Sequence, residues 1–288
     1  MYKDFLILGS SGFIGSNFIS LLEKNKKTYW AIDCKISSYK KIKNFSKIDL
    51  NNFDEIKKFF DNKKFKYVIN FVALSGIIDC DINPEKAIHD NIITAINILK
   101  NEKNFKKIIL ISSYSTLDEQ SFSIYSGCKK IIEKFSSANL AKNKIITIRI
   151  PNIFGKYSIH KSSVIAQICK SMMKNETFKI HGTGKQKRNY VYVEDLCKII
   201  NNICLKKSAI KNKLINIGNK KNYSINQLIK YFENINKKKI FTKKINHPLD
   251  EKFTKTKKII QNVDYLIEDK SFQKNLKETL DWYKQNNK

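Results

Sequence analysis

Apolar residues in the first half of the chain follow two alternating patterns. Short, nearly continuous apolar runs at Phe5–Leu8, Tyr29–Asp33, Tyr67–Phe71, Lys107–Ser112 and Ile145–Arg149 predict strands. Between them, at Ser16–Lys24, Phe53–Phe60, Asn83–Lys100 and Ile124–Ala141, apolar residues recur with helical spacing and predict amphipathic helices. In the third helix Ala87, Ile88, Ile92, Ala95, Ile96 and Leu99 share a face, Pro84 suits the first turn and Asn83 is the expected cap. Strand–helix alternation of this kind predicts an α/β fold: a doubly wound parallel sheet covered by helices on both faces.

The pattern changes after Pro151. Val164–Met173 and Val193–Cys204 read as helices, Leu214–Gly218 as a short strand, the residues after Ser224 as a helix and Leu276–Gln285 as a terminal helix. The expected organisation is a doubly wound α/β domain over residues 1–150 and a smaller α/β lobe over 151–288, with some segments returning to the first domain. No repeat or Gly/Ser-rich linker separates the two.

The first strand runs into Gly9-Ser10-Ser11-Gly12-Phe13-Ile14-Gly15, and Phe18, Ile19, Leu21 and Leu22 then recur at helical spacing. In such a strand–turn–helix, the first glycine permits a sharp turn, the second lets backbone approach a pyrophosphate, and the third lets the helix lie close to the sheet. The helix N-terminus presents free N–H groups to the phosphates. Asp33 ends the second strand about 20 residues further on, where a carboxylate accepts hydrogen bonds from the adenosine ribose and repels the extra phosphate of NADP. NAD is therefore expected in preference to NADP, although Lys35 stands close enough to blunt the discrimination. Asp49 lies at the expected end of the third strand, within reach of an adenine amine, and Val72-Ala73 follow the next strand as small groups able to line the cofactor.

Charge and cysteine content narrow the picture further. The net charge of +29 alone would suggest nucleic acid, but the lysines are spread along the whole chain and lack interleaved aromatics. Nucleic acid is not the expected partner; anionic, phosphorylated ligands are. The six cysteines form no Cys-x-x-Cys pair or zinc spacing, so no metal is expected and reduced thiols in a cytoplasmic protein are. The longest apolar stretch, Tyr67–Ile78, is interrupted and too short for a membrane span, and no signal peptide is expected, since Met1-Tyr2-Lys3-Asp4 leads directly into the first strand.

Tyr125-Ser126-Gly127-Cys128-Lys129 places a phenol and an ammonium on one helical face. A nearby cation is expected to lower the phenol pKa and make Tyr125 a proton donor or acceptor near neutrality. Ser112-Ser113 ends the preceding strand and offers a hydroxyl to hold a substrate oxygen, a role also open to Ser115.

With these motifs the chain resembles the extended short-chain dehydrogenase/reductases, in particular the NAD-dependent epimerase/dehydratase family acting on nucleotide sugars. The resemblance rests on Gly9, Gly12 and Gly15, on Asp33, Asp49-Leu50, Asn70–Ala73, Asn83-Pro84 with Asn91, Ser112-Ser113, and on Tyr125 with Lys129. It continues through Arg149–Gly155 and His181–Asp195. It implies a Rossmann-like fold, a catalytic set of Ser113, Tyr125 and Lys129, and cofactor contacts that include Phe13, Ile14, Leu50, Pro151 and Ile153. It also implies a nucleotide-diphosphate sugar as substrate, touched by Ser75, Asn152 and Arg188, with His181 near the base, and a homodimer paired through the helices at 83–100 and 124–141.

The implied reaction is hydride transfer at a sugar ring carbon, expected at carbon 4, as a 4-epimerase or 4-ketoreductase in surface-polysaccharide sugar synthesis. Tyr114-Ser115 stand where the family's 4,6-dehydrating members carry an Asp-Glu pair, so dehydration is not expected. Near the C-terminus Asn246-His247-Pro248 replaces the Arg of the family pattern, with His247 as a weaker substitute. A non-catalytic dinucleotide sensor or RNA-binding protein is the alternative, and the intact Ser/Tyr/Lys set argues against it.

Overall fold

The computed structural model describes residues 3–118, 123–138, 143–206, 213–245, 263–268 and 270–286. The chain forms two compact units, one of Met1–Ile150 with Cys197–Asn216 and the other of Pro151–Leu196 with Ile217–Lys288.

The first unit is built on parallel strands β1 (Lys3–Leu8), β2 (Tyr29–Asp33), β3 (Phe45–Lys47), β4 (Phe65–Asn70), β5 (Phe105–Ser113), β6 (Ile145–Ile150) and the start of β10 (Leu214–Asn219). Their spatial order, β10-β6-β5-β4-β1-β2-β3, reverses direction between β1 and β4. In doubly wound sheets the carboxyl ends of the strands on either side of such a reversal form a ligand crevice. The doubly wound expectation is met.

Strand residues are buried on both sides of this sheet. Leu6, Leu8, Val68, Ile108 and Leu110 pack in one core with Ile56, Phe59 and Phe60 of α2 (Phe53–Phe60), while Phe5 on the opposite face meets Phe18 of α1 (Phe13–Lys24) at 6.1 Å between ring centres. Two-sided burial explains why the strands read as continuous apolar runs. Helix α2 starts where predicted because the Asn52 side chain accepts from the amides of Asp54 and Glu55.

The predicted helix over 83–100 comprises α4 (Pro84–Ile88), a π-helical turn (His89–Ile93) and α5 (Thr94–Leu99), preceded by α3 (Ile77–Ile82), which the apolar pattern did not show. Asn83 stands at the N-terminal position but its side chain makes no cap hydrogen bond, contrary to expectation. Its φ of −125° and ψ of 69° lie outside the extended conformation typical of a capping residue. Helix α6 spans Ile124–Ala138; Ala141 lies outside the described residues.

In the second unit β9 (Lys187–Tyr192) pairs parallel with β7 (Asn152–Phe154) and antiparallel with β11 (Asn222–Ser224). Strand β8 (Phe178–His181) pairs with β12 (Thr242–Ile245), and Ile217–Asn219 of β10 pair with β13 (Tyr265–Ile267). Helices α7 (Val164–Lys174), α9 (Ile225–Asn236) and α10 (Phe272–Asn286) pack against one another. Ser224 begins α9 with a reciprocal capping box to Gln227. Helix α8 (Val193–Leu205) contributes residues to both units. Among the described residues no helix is long and apolar enough to cross a membrane. All six cysteines are free thiols.

Candidate active site

The glycine turn lies at the carboxyl end of β1, beside the end of β4. Gly9 adopts φ +73°, and a Cβ there would meet the Val72 amide nitrogen at 2.8 Å, so only glycine fits both the conformation and the space. Gly15 packs against the turn itself, where a Cβ would lie 2.2 Å from the Gly9 carbonyl oxygen. Gly12 differs: a Cβ there would meet only that same oxygen, at 3.3 Å. Gly12 begins α1 without a side-chain cap, and the first intrahelical bond runs from Ser16 to Gly12. The amides of Phe13, Ile14 and Gly15 therefore fall in the first turn, which has no intrahelical acceptors.

Asp33 is coupled directly to this turn. Its Oδ2 accepts from the Ser11 amide at 3.0 Å and its Oδ1 from the Lys35 amide at 3.1 Å. Val72 and Ala73 are half-buried just after β4, and the Val72 amide donates to Asn70 Oδ1. Asp49 is exposed two residues beyond the end of β3 and accepts from the Asn51 amide. The Leu50 side chain is buried in the core. An uncapped helix start, open space at Gly12 and a carboxylate beside the turn fit the pyrophosphate and ribose of a dinucleotide.

The chemistry-bearing side chains lie at the end of β5 and the start of α6, in the same unit. The Ser113 hydroxyl accepts from the Ser115 amide at 3.2 Å and stands near enough to the Tyr125 phenol to favour its ionised form. The Ser112 hydroxyl donates to Glu133 at 2.5 Å, and the buried Ser115 hydroxyl finds no partner among the described residues. Lys129 is almost wholly buried, donates to the Ile111 carbonyl at 3.1 Å and lies 5.7 Å from the centre of the Tyr125 ring.

The expected lowering of the phenol pKa is not found. Burial pushes Tyr125 up to about 12, Ser113 opposes the rise, and Cys80 adds to it. The physical reason is desolvation, since Tyr125 packs against an apolar cluster of Cys80, Ala87, Ile92 and Cys128.

The remaining candidates lie elsewhere. Ser75 is half-buried between β4 and α3. Pro151, Asn152, Ile153, His181 and Arg188 belong to the second unit. Asn152 pairs in register with Tyr190, and its amide donates to the Asn189 carbonyl at 3.0 Å, which sets it near Arg188 on β9. Arg188 is half-buried and makes no ion pair with a described carboxylate. His181 is exposed at the end of β8, its carbonyl bonded by Gln186. Glu119 and the 246–250 segment with His247 lie outside the described residues.

Two further residues support the site: Asn91, quoted above only as part of the resemblance, and Glu133, which the sequence reading did not single out. Asn91, in the π turn, donates to the Leu74 carbonyl at 3.0 Å and the Ala87 carbonyl at 2.9 Å, tying the loop after β4 to the helix. Glu133 receives Ser112 and Arg149. Its signal was available, because Tyr125, Lys129 and Glu133 recur every fourth residue and so share a helical face.

Residues 5–218 match the family model described as the NAD dependent epimerase/dehydratase family. The chain is 28% identical to a UDP-glucuronate 4-epimerase of Thermodesulfobacterium geofontis, covering 98% of this chain and 96% of that protein. It is 29% identical to a putative UDP-glucose 4-epimerase of Methanocaldococcus jannaschii, covering 77% and 79%. In fold it resembles a Thermotoga maritima UDP-glucose 4-epimerase solved with UDP-glucose (TM-score 0.80, 21% identity, 99% of this chain and 100% of that one). It also resembles a Bacillus cereus UDP-glucuronic acid 4-epimerase solved with NAD (TM-score 0.80, 22% identity, 99% and 100%).

Proposed function

Because the chain belongs to the NAD dependent epimerase/dehydratase family, we propose that it is an NAD-dependent 4-epimerase of a nucleotide-linked sugar. The observation that carries this reading is the grouping of Ser113, Tyr125 and Lys129 at the end of β5 and the start of α6: Ser113 favours ionisation of the Tyr125 phenol, Lys129 lies 5.7 Å from the centre of its ring, and the glycine turn belongs to the same unit. Bound NAD supplies the hydride acceptor. Tyr125 exchanges the proton of the reacting hydroxyl, and Ser113 donates a hydrogen bond to the same oxygen. NAD held by the glycine turn and Asp33 would both take hydride from the sugar carbon and give it back, so inversion there would consume no external reductant. Asp33 supports NAD over NADP, which suits a cofactor recycled within each turnover.

Because burial raises the Tyr125 phenol, a nearby positive charge is needed for it to accept a proton at neutral pH. Lys129, now bonded to the Ile111 carbonyl, is positioned to supply it by a change of side-chain rotamer. Arg188 is assigned to the diphosphate as a fork-shaped donor, with Asn152 beside it and His181 towards the base. Ser75 is assigned to the sugar.

Thermal-shift screening of UDP-, GDP-, dTDP- and CDP-sugars with NAD identifies the substrate, and chromatography of the products then follows inversion at carbon 4. Tyr125→Phe is expected to abolish turnover while NAD binding stays within about twofold. Net reduction without inversion would move the assignment to a ketoreductase, and turnover retained in Tyr125→Phe would refute the mechanism.

The same reading takes the chain as a homodimer. Ile78 and Ile82 on α3, Ile88 on α4 and Ile131 on α6 are all about half exposed or more, on helices that pack together. A second copy would cover such apolar surface. Sedimentation of the wild type as a monomer would overturn this assignment; Ile131→Asp is expected to weaken the dimer.

A further inference from the structure

Four hydrogen bonds converge on one carboxylate behind the Ser113–Tyr125 pair. Glu133 Oε1 accepts from Ser112 Oγ at 2.5 Å, Thr116 Oγ1 at 3.0 Å and Arg149 Nε at 2.7 Å, and Oε2 accepts from Arg149 Nη2 at 2.6 Å. The side chains of Glu133 and Arg149 are only 9% and 17% exposed, so water screens this ion pair weakly. The donors come from three places: the end of β5, the short 3₁₀ turn after it (Tyr114–Leu117), and β6, where Arg149 lies in register with Ser112. The Thr116 hydroxyl proton is shared with the Ser113 carbonyl at 2.8 Å, which carries the network to the residue that favours ionisation of the phenol.

The geometry points to Glu133 as a positioning residue for the reaction, with Arg149 as its partner. This inference rests on the role given to Tyr125 above. Helix α6 bears Tyr125, Lys129 and Glu133 on one face, and a helix held only by apolar contacts is free to rotate or slide by fractions of an ångström. Apolar contacts tolerate such shifts; a bidentate guanidinium–carboxylate pair with two further hydroxyl donors does not. The clamp sets the rotation of α6 two turns beyond the phenol and simultaneously holds the strand end that carries Ser113. Its donor is one of only two arginines among 55 basic residues, at a position where the two-pronged geometry is used and a lysine could not reproduce it. A buried ion pair adds little net stability compared with apolar packing, so its contribution is expected in the placement of groups.

The test uses the full chain with NAD and the nucleotide sugar that the wild type turns over. Glu133→Gln keeps the shape but loses the charge and turns one of the two acceptor oxygens into a donor; Arg149→Lys keeps the charge but loses the fork. Each is expected to lower kcat at least tenfold, with KM for the sugar and Kd for NAD within about twofold, on protein shown by circular dichroism and thermal melting to be folded at the assay temperature. The double variant is expected to be little worse than either single variant, as for two groups acting as one unit. A lowered melting temperature with kcat within twofold of wild type would make the pair purely structural and overturn the inference. So would a rise in KM with kcat unchanged. If Glu133→Gln does not fold, Arg149→Lys carries the same expectations. Failure of the underlying reading looks different: Tyr125→Phe would then turn over like the wild type, or the wild type would turn over no sugar with NAD.

Discussion

Substituting alanine at two glycines three residues apart is expected to separate folding from cofactor binding. At Gly15 the added Cβ would lie 2.2 Å from the Gly9 carbonyl oxygen and 2.9 Å from the Ser10 Cα, both backbone atoms. Real Cβ contacts are not found below 3.0 Å, so α1 and the turn must separate by about 0.8 Å. Overpacking of this kind destabilises by about 1–3 kcal/mol, and the rigidity of both neighbours favours the upper end. The same displacement carries the first-turn amides away from the pyrophosphate and stretches hydrogen bonds to a charged acceptor worth about 1.5–3 kcal/mol each, a loss of at least about tenfold in NAD affinity. At Gly12 the backbone is extended (φ −76°, ψ 176°) and the methyl meets only one atom, at 3.3 Å. Gly12→Ala should therefore stay within about 1 kcal/mol of wild-type stability, while its methyl occupies the space the pyrophosphate needs. Urea unfolding gives the stabilities, and isothermal titration gives the NAD affinities. Equal destabilisation by both substitutions, or wild-type NAD binding by Gly12→Ala, would refute this account of the turn.

Three other predictions concern single side chains. Asp33→Asn removes the carboxylate charge and should narrow the preference for NAD over NADP by about tenfold in titrations; an unchanged ratio would remove Asp33 from discrimination. Arg188→Lys keeps the charge but loses the fork, and should raise KM for the nucleotide sugar by about tenfold while leaving NAD binding alone, as steady-state kinetics and titration would show. The Tyr125 phenol, raised to about 12 in the fold against about 10 when unfolded, holds its proton more tightly in the native state. Its contribution to stability is thus present below pH 10 and declines as pH rises through the window from 10 to 12, by about 1 kcal/mol at pH 11. Urea midpoints at pH 8 and pH 11 should fall further for the wild type than for Tyr125→Phe, and equal falls would contradict the raised phenol.

How legible each part was follows from the range of the forces involved. The strand ends at Asp33 and Ser113 lie within a residue of their predicted places, because two-sided burial imposes an unbroken apolar run. Helix α2 was found residue for residue, since Asn52 and the following acidic residues act locally at its start. The π turn at His89–Ile93 and helix α3 were not visible, because the bonds that hold Asn91 to Leu74 join segments 17 residues apart without an apolar period. Spacing alone could place Tyr125 and Lys129 on one face but could not say where the ammonium pointed. Its bond to the Ile111 carbonyl depends on how α6 docks against β5.

What the amino-acid order settled by itself was the architecture of the first unit, the glycine turn with its acidic partner at Asp33, and the Tyr–Lys face that led to the family. Those features depend on near-neighbour periodicity and on glycine's freedom at single positions. Tertiary structure alone brought Ser113 near the phenol, raised its pKa where a cation was expected to lower it, and gathered Ser112, Thr116 and Arg149 around Glu133. Each of those outcomes depends on desolvation and on angstrom-scale approach between segments distant in the chain, quantities that exist only once the helices have packed on the sheet.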